Sequence, residues 1–322
     1  MPEEMDALLA GLKEHLVFKD DDGRVVIQVA LLATVYFDDP YKREVREALV
    51  SCCEDYFQLC GEHLRWAVNP DTEFMERFGE GKGSNPRAWV PERHEDEDFA
   101  LICHGGDQHP EANAFSIQAF GAERRQYSHL GNLRVSFPVL WFSEHPGSLT
   151  DVLLNMCRKL KPVSGYGGIG LIESPSTSVR HWHESTVYQL AQRLPGLEVD
   201  RPISHAIWQR QGNGIKGVNW LTVVGDRLSA KLGGLDAMQA EVSTLDSRFL
   251  VQRFEGGVMI QAGAHPDLGD AAHNIWPELY VKLAKYLQPI RITQHRAFHQ
   301  AAFSPTFDKE SSEAWLRRFD DR

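Results

Sequence analysis

The sequence predicts an α+β protein with mostly antiparallel sheets flanked by helices, and three observations carry that prediction. Short β-branched runs alternate with amphipathic helical stretches along the chain. Residues 249–254 and 258–262, joined by Glu255-Gly256-Gly257, form a hairpin pattern, which requires antiparallel pairing. The order β-α-β-β-α-β is read in the second half and, with one extra strand, in the first. That repetition fits two similar ferredoxin-like (split βαβ) halves. They would divide at 1–175 and 176–322, as two units or one continuous domain, with an acidic insertion around 70–112.

Taken in order, residues 2–16 read as a short amphipathic helix, followed by a turn at Lys19-Asp20-Asp21-Asp22-Gly23. Val25–Phe37 is too densely apolar and β-branched for an edge strand. It belongs at the centre of a sheet, buried on both faces. Asp38-Asp39-Pro40 ends it and starts a helix, with Asp39 as N-cap and Pro40 at the first helical position. Val45, Leu49, Cys52, Tyr56 and Leu59 then recur at helical spacing. Residues 64–68 suit a second strand. Residues 70–112 are the least regular, with Gly79, Gly81, Gly83, Pro86 and Pro91 before a charge run from Glu92 to Asp98, and read as a long loop. Residues 114–120 and 133–142 form an antiparallel pair, a helix follows from Ser148, and 166–172 is a glycine-rich strand. A helix over 184–194 stops at Pro195-Gly196. The second half opens near 203–209, and 218–224 suits a buried strand. Gly225-Asp226 breaks that strand, with Asp226 as a helix N-cap and Gly233-Gly234 as the stop. After the hairpin come a helix carrying Ile275, Leu279, Leu283 and Leu287 and a last strand at 289–292.

Composition narrows the function. With 42% hydrophobic and 25% charged residues the chain reads as an ordinary globular protein able to bury a core. No run reaches the ~18 apolar residues of a membrane helix. The acidic N-terminus lacks a basic region before an apolar one, so a cytoplasmic location is expected. The five cysteines, Cys52, Cys53, Cys60, Cys103 and Cys157, suggest neither a disulfide framework nor a zinc site. The net charge of −11 is uneven: residues 1–110 hold 24 Asp/Glu against 11 Lys/Arg, a balance of −13, and the rest holds 21 against 23, a balance of +2. Such a first third repels nucleic acid and attracts basic partners.

Motifs for chemistry are weak. Gly165-Tyr166-Gly167-Gly168-Ile169-Gly170 satisfies G-x-G-x-x-G, yet a helix precedes it and a strand continues from it, the reverse of a dinucleotide loop. Close backbone packing in a sheet accounts for it better. His181, His183 and Glu184 offer ligands for a metal-dependent hydrolase, but one such group does not complete a coordination sphere. Cys103-His104-Gly105-Gly106-Asp107 is the nearest approach to a reactive thiol, and no G-x-S-x-G occurs. The short runs Arg124-Arg125 and Arg317-Arg318 do not make a nucleic-acid footprint. No cofactor is implied.

Several stretches in order do carry a resemblance: RLPGLEVD (193–200), SGYGGIG (164–170), IKGVNWLTVVGD with KLGG (215–234), and IQAGAHPDLGD (260–270) followed by LYVKLAKYLQPIR (279–291). From about residue 25 to 291 the chain resembles the type VI immunity family, most closely the TsiT-type partners of Tox-REase-5 nuclease effectors. The resemblance implies a non-catalytic protein that binds and neutralises a cognate type VI secretion toxin, a cytosolic nuclease, by covering its active site or blocking its self-association. An effector chaperone or adaptor is the other binding role. The family brings no catalytic residues. An acidic surface suits a nuclease that grips phosphates, so Asp20, Asp21, Asp22, Glu92, Glu95, Asp96, Glu97 and Asp98 are the expected toxin contacts. The stretch 215–234 is expected to pack Trp220 and Leu221 into the core.

Overall fold

The apolar run Val25–Phe37 folds as the longest strand described, and the sheet grows outward from it. The structure, a computed structural model, describes residues 17–126, 129–299 and 303–322; the helix expected over 2–16 lies outside them. The described strands are β1 (Val17–Lys19), β2 (Val25–Phe37), β3 (Trp66–Val68), β4 (Met75–Arg77), β5 (Phe99–His104), β6 (Ser116–Gly121), β7 (Gly131–Phe137), β8 (Ser164–Glu173), β9 (Leu221–Gly225), β10 (Phe249–Phe254) and β11 (Gly257–Ala262). All lie in one sheet, ordered β10-β11-β9-β8-β2-β7-β6-β5-β3-β4, with β1 against the start of β2. Every pairing is antiparallel. The longer helices are α1 (Arg43–Cys60), α2 (Leu149–Leu160), α3 (Glu184–Arg193), α4 (Pro202–Gly212), α5 (Leu235–Leu245), α6 (Glu278–Leu287) and α7 (Lys309–Leu316). None is long and apolar enough to cross a membrane.

Strand register gives the sheet two different faces. Ile102, Gln118, Arg134, Thr34, Tyr166 and Thr222 stand side by side, one from each of β5, β6, β7, β2, β8 and β9. Because side chains alternate along a strand, these share a face, and it is polar. The adjacent row, Leu101, Ala119, Leu133, Val35 and Val223, points the other way and is apolar and buried. On the apolar side α2 packs on β2 and α1 on α2. The Tyr56 hydroxyl of α1 donates to the Ser136 carbonyl at 2.8 Å. On the polar side lie the segments around 196–220.

The structure corrects the sequence reading at several points. The two halves are not separate sheets: β8 pairs with β2 on one side and β9 on the other, so the sheet is continuous across the expected boundary. The last strand of the second half does not form. Gln288–Ile290 is a turn of 3-10 helix, and only a single parallel bridge joins Ile215 to Arg291. Pro289 there has no amide to give a ladder. The irregular stretch 70–112 contains β4 and β5, the latter between β3 and β6. Residues 203–209 lie in α4, and α5 follows Gly233-Gly234 with no counterpart in the reading. Asp39 is no helix cap. It adopts φ 55° and accepts from Lys42 Nζ at 2.7 Å, and α1 starts at Arg43. Asp226 opens a single helical turn whose N-cap is Gly225. Ser148 does cap its helix, accepting from the Asp151 amide at 3.1 Å. The hairpin forms, with a tighter turn than expected: Gly257 already pairs with Phe254, which leaves Glu255-Gly256 as the loop.

Candidate functional site

Three stretches distant in sequence, 164–170, 193–200 and 215–234, meet on the polar face. The glycines of 164–170 lie within β8, where they admit close neighbours. A Cβ on Gly168 would sit 2.1 Å from Asn219 Oδ1, and one on Gly170 3.0 Å from the Glu198 Cβ. Residues 196–220 can therefore rest directly on the strand. Glu198 pairs there with Lys216 and accepts from Asn219 Nδ2 at 2.9 Å. Lys216 also donates to the Val199 carbonyl at 2.8 Å and lies 3.2 Å from His205 Nε2. Asp200 accepts from the Tyr166 hydroxyl at 2.5 Å and from Thr34 at 2.7 Å, and the Tyr36 hydroxyl is 2.8 Å from that of Tyr166.

The Lys216 and Glu198 side chains are each only 2% exposed, which leaves no room for a substrate. Burial lowers the Lys216 pKa, while Glu198 and Asp200 oppose that shift. Burial and the charge of Asp200 push the Tyr166 phenol well above its usual range. This is a buried, hydrogen-bonded polar core, a place that holds chain segments together. Lys216 was not among the residues that the sequence singled out. The available signal was a single charge placed just ahead of a buried strand. Trp220 and Leu221 are buried as expected.

Beside this core the polar face opens into a cleft of about 430 Å³. Arg134 of β7, Arg180, Glu184 at the start of α3, Arg201, His104 and Asp200 are among its walls. Arg201 donates to Glu173 at 2.8 Å and to Glu184 at 3.1 Å. Burial raises the Glu184 carboxyl, and Arg201 opposes. Burial also lowers His104 to about 4. Sequence reasoning found Glu184 and His181 but none of the arginines, whose convergence depends on strand register.

The alternative ligand trio, His181, His183 and Glu184, does not assemble into a metal site. Glu184 is committed to Arg201, and among the described residues no group of three or more His, Cys, Asp and Glu could hold a metal ion. The five cysteines are buried and free. Burial raises the Cys103 thiol far from reactivity.

The acidic residues fall in two places. Asp20 and Asp22 both engage Arg24 at the start of β2, and Asp21 is exposed beside them. Residues 92–98 lie beyond the other end of β2, against the N-terminal turns of α1. A 13-residue strand separates the groups, roughly 40 Å at ~3.3 Å per residue. Within the second group Glu92 pairs with Arg43, Glu95 and Asp96 with Arg124, and Glu97 faces Arg93 at 3.8 Å. Asp98 is exposed. The segment is pinned from beneath by Arg46, which is 1% exposed and donates to the carbonyls of Pro40, Arg93, His94 and Glu97. It is an ordered display of carboxylates.

The sequence profile of the family described as type VI immunity for VRR-NUC, TsiV, matches residues 48–319. The chain belongs to the type VI immunity family. Its match takes in all three stretches that build the polar core, as well as the cleft and residues 92–98. The description names VRR-NUC, whereas the sequence resemblance had implied the Tox-REase-5 type. Among solved structures, the Pseudomonas aeruginosa T6SS protein PA0821 is similar at a TM-score of 0.86 and 25% identity, over 99% of this chain and 91% of that one. No curated protein matches the chain.

Proposed function

We propose that this immunity protein binds and neutralises a nuclease effector of a type VI secretion system, of the VRR-NUC kind, without catalysis of its own. The observation that carries the reading is the family match over residues 48–319. The toxin face is the acidic segment 92–98, where Glu92, Glu95, Asp96, Glu97 and Asp98 meet the basic surface with which a nuclease holds phosphates. Support for this comes from Arg46, since a segment already ordered loses little freedom on binding. The Asp20-Asp21-Asp22 turn, at the far end of β2, is a second and separate contact.

The test is expression of the protein with VRR-NUC and Tox-REase-5 nucleases from the same genome. The expected result is co-purification with a VRR-NUC effector, loss of its DNA cleavage and survival of the producing cells. Binding without protection would point to a chaperone, and protection without binding would end the proposal. Lysine at Glu92, Glu95 and Asp98 together should slow association about tenfold and reduce its salt dependence. An unchanged association rate would remove the acidic segment from the interface.

A further inference from the structure

Three guanidinium groups enter the cleft beside the polar core, and among the described residues only one of them is held in an ion pair. Arg201 is held by Glu173 and Glu184. Arg180 makes only long hydrogen bonds, 3.5 Å to the Ser174 carbonyl and 3.4 Å to the Thr177 hydroxyl. Arg134 stands in register between Thr34 and Gln118, neither of which is charged. Among the described residues no carboxylate lies within ion-pair distance of Arg134 or Arg180. The Arg134 Nε and Arg201 Nε are buried without a hydrogen-bond partner, as is Glu184 Oε2. Buried polar atoms are nearly always partnered, so several orphans lining one cavity indicate a missing ligand group.

Charge gives the ligand its sign. Two other carboxylates line the cleft, but their oxygens are engaged: Asp200 by two hydroxyls, and Glu111 by the backbone amides of Val25 and Gln108. With Glu173 and Glu184 that makes four carboxylates against three guanidiniums, so the positive charge in excess is local to Arg134 and Arg180, which have no carboxylate within ion-pair distance among the described residues. Burial lowers the pKa of Arg180, with Arg201 and Arg134 adding to that shift and Glu173 and Glu184 opposing it.

We propose that the cleft is a binding site for a compact oxyanion, a carboxylate or phosphate, seated between Arg134 and Arg180. Guanidinium groups suit such anions through paired N–H donors. The cavity, at about 430 Å³, is large enough for a small molecule and for a side chain delivered by a bound protein. The chemistry is the same in both cases; the sources are a free anion and, resting on the proposed immunity role, an Asp or Glu of the effector.

Calorimetric titration of the isolated protein with inorganic phosphate and with glutarate, at constant ionic strength, tests the site. Saturable binding that weakens about tenfold or more in Arg134→Gln and in Arg180→Gln identifies a free-anion site. Binding that is equal in wild type and both variants overturns the proposal. If neither probe binds, the affinity of the co-purifying effector decides. A loss of about tenfold in Arg180→Gln places the anion on the effector, and an unchanged affinity overturns the proposal. If wild type binds no effector at all, the immunity reading fails by itself, and the phosphate and glutarate titrations still judge the cleft. Thermal unfolding checks that the variants fold and supplies a second readout. Removing an unpaired charge should leave the anion-free protein as stable or more stable, with Arg180→Lys close to wild type. Clear destabilisation by Arg180→Gln, with no anion effect, would mark a purely structural residue and overturn the site.

Discussion

Arg46 and Lys216 are both buried cations, yet they do opposite kinds of work. Lys216 neutralises Glu198 and joins three distant stretches. Replacing it with Met leaves Glu198 buried and unpaired, a change that typically costs about 3–5 kcal/mol. The double replacement Lys216→Met with Glu198→Leu should recover most of that, as measured by denaturant unfolding. Arg46 instead satisfies backbone carbonyls of 92–98. Arg46→Ala should speed amide exchange in that segment, and a smaller effect there than elsewhere would refute the role.

Histidine sets the response to acid. Burial lowers His104 and His295 to about 4, against an ordinary 6.5. Between those values the unfolded chain takes up protons that the folded one does not, so stability falls as pH falls from 6.5 towards 4. The slope is at most ~1.4 kcal/mol per pH unit for each histidine. His295→Phe should flatten the curve of unfolding free energy against pH over that window; an unchanged slope would show that His295 does not contribute.

At the scale of elements, caps and seams carry the argument. Ser148 both accepts from the Asp151 amide and donates to its carboxylate at 2.8 Å. Ser148→Ala should lower stability by about 1 kcal/mol, read from thermal unfolding. Gly168→Ala in β8 is a sharper case. Alanine has the better strand conformation in general, yet here its Cβ would overlap Asn219 Oδ1 and push it off Glu198. Destabilisation of about 2 kcal/mol or more is expected, and a neutral result would mean that the 196–220 segment yields easily.

Much of this level was legible in the sequence, because the signals are local. The density of β-branched residues in 25–37, the turn at Glu255-Gly256 and the helix start at Ser148 each depend on neighbours within a few positions. Lys216, Arg134 and Arg201 were not legible, since their partners lie far along the chain and only strand register brings them together. Asp39-Pro40 misled because a cap sequence also suits a turn, and the turn won. The second half lost its last strand for a related reason: its hydrophobic pattern at 289–292 was met by burial of Ile290 and Ile292 without a ladder.

For the whole molecule, one sheet across both halves argues for one cooperative unit. Unfolding should show a single transition, with fluorescence and circular dichroism traces coinciding. Two separated transitions would mean that the halves near residue 175 are independently stable. The acidic balance of the first third reads differently at this scale, because many of its carboxylates are already paired. On the proposed reading the partner meets the segment 92–98, whose carboxylates are themselves mostly paired, at the opposite end of β2 from the aspartates at 20–22.

Continuity through β8 also bears on how the chain is made. Synthesis delivers β8 on the order of 50 residues before β9, which at 5–20 residues per second is roughly 2–10 s. Until residue 198 is made the nascent N-terminal part can pair β8 with β2 but leaves its other edge open, and the part of that edge that β9 covers stays open until β9 follows. That edge is rich in glycine and lacks the charges that guard exposed strands. Newly made chains are thus most open to misassociation while still on the ribosome, and slowing translation between residues 174 and 220 should lower the soluble yield.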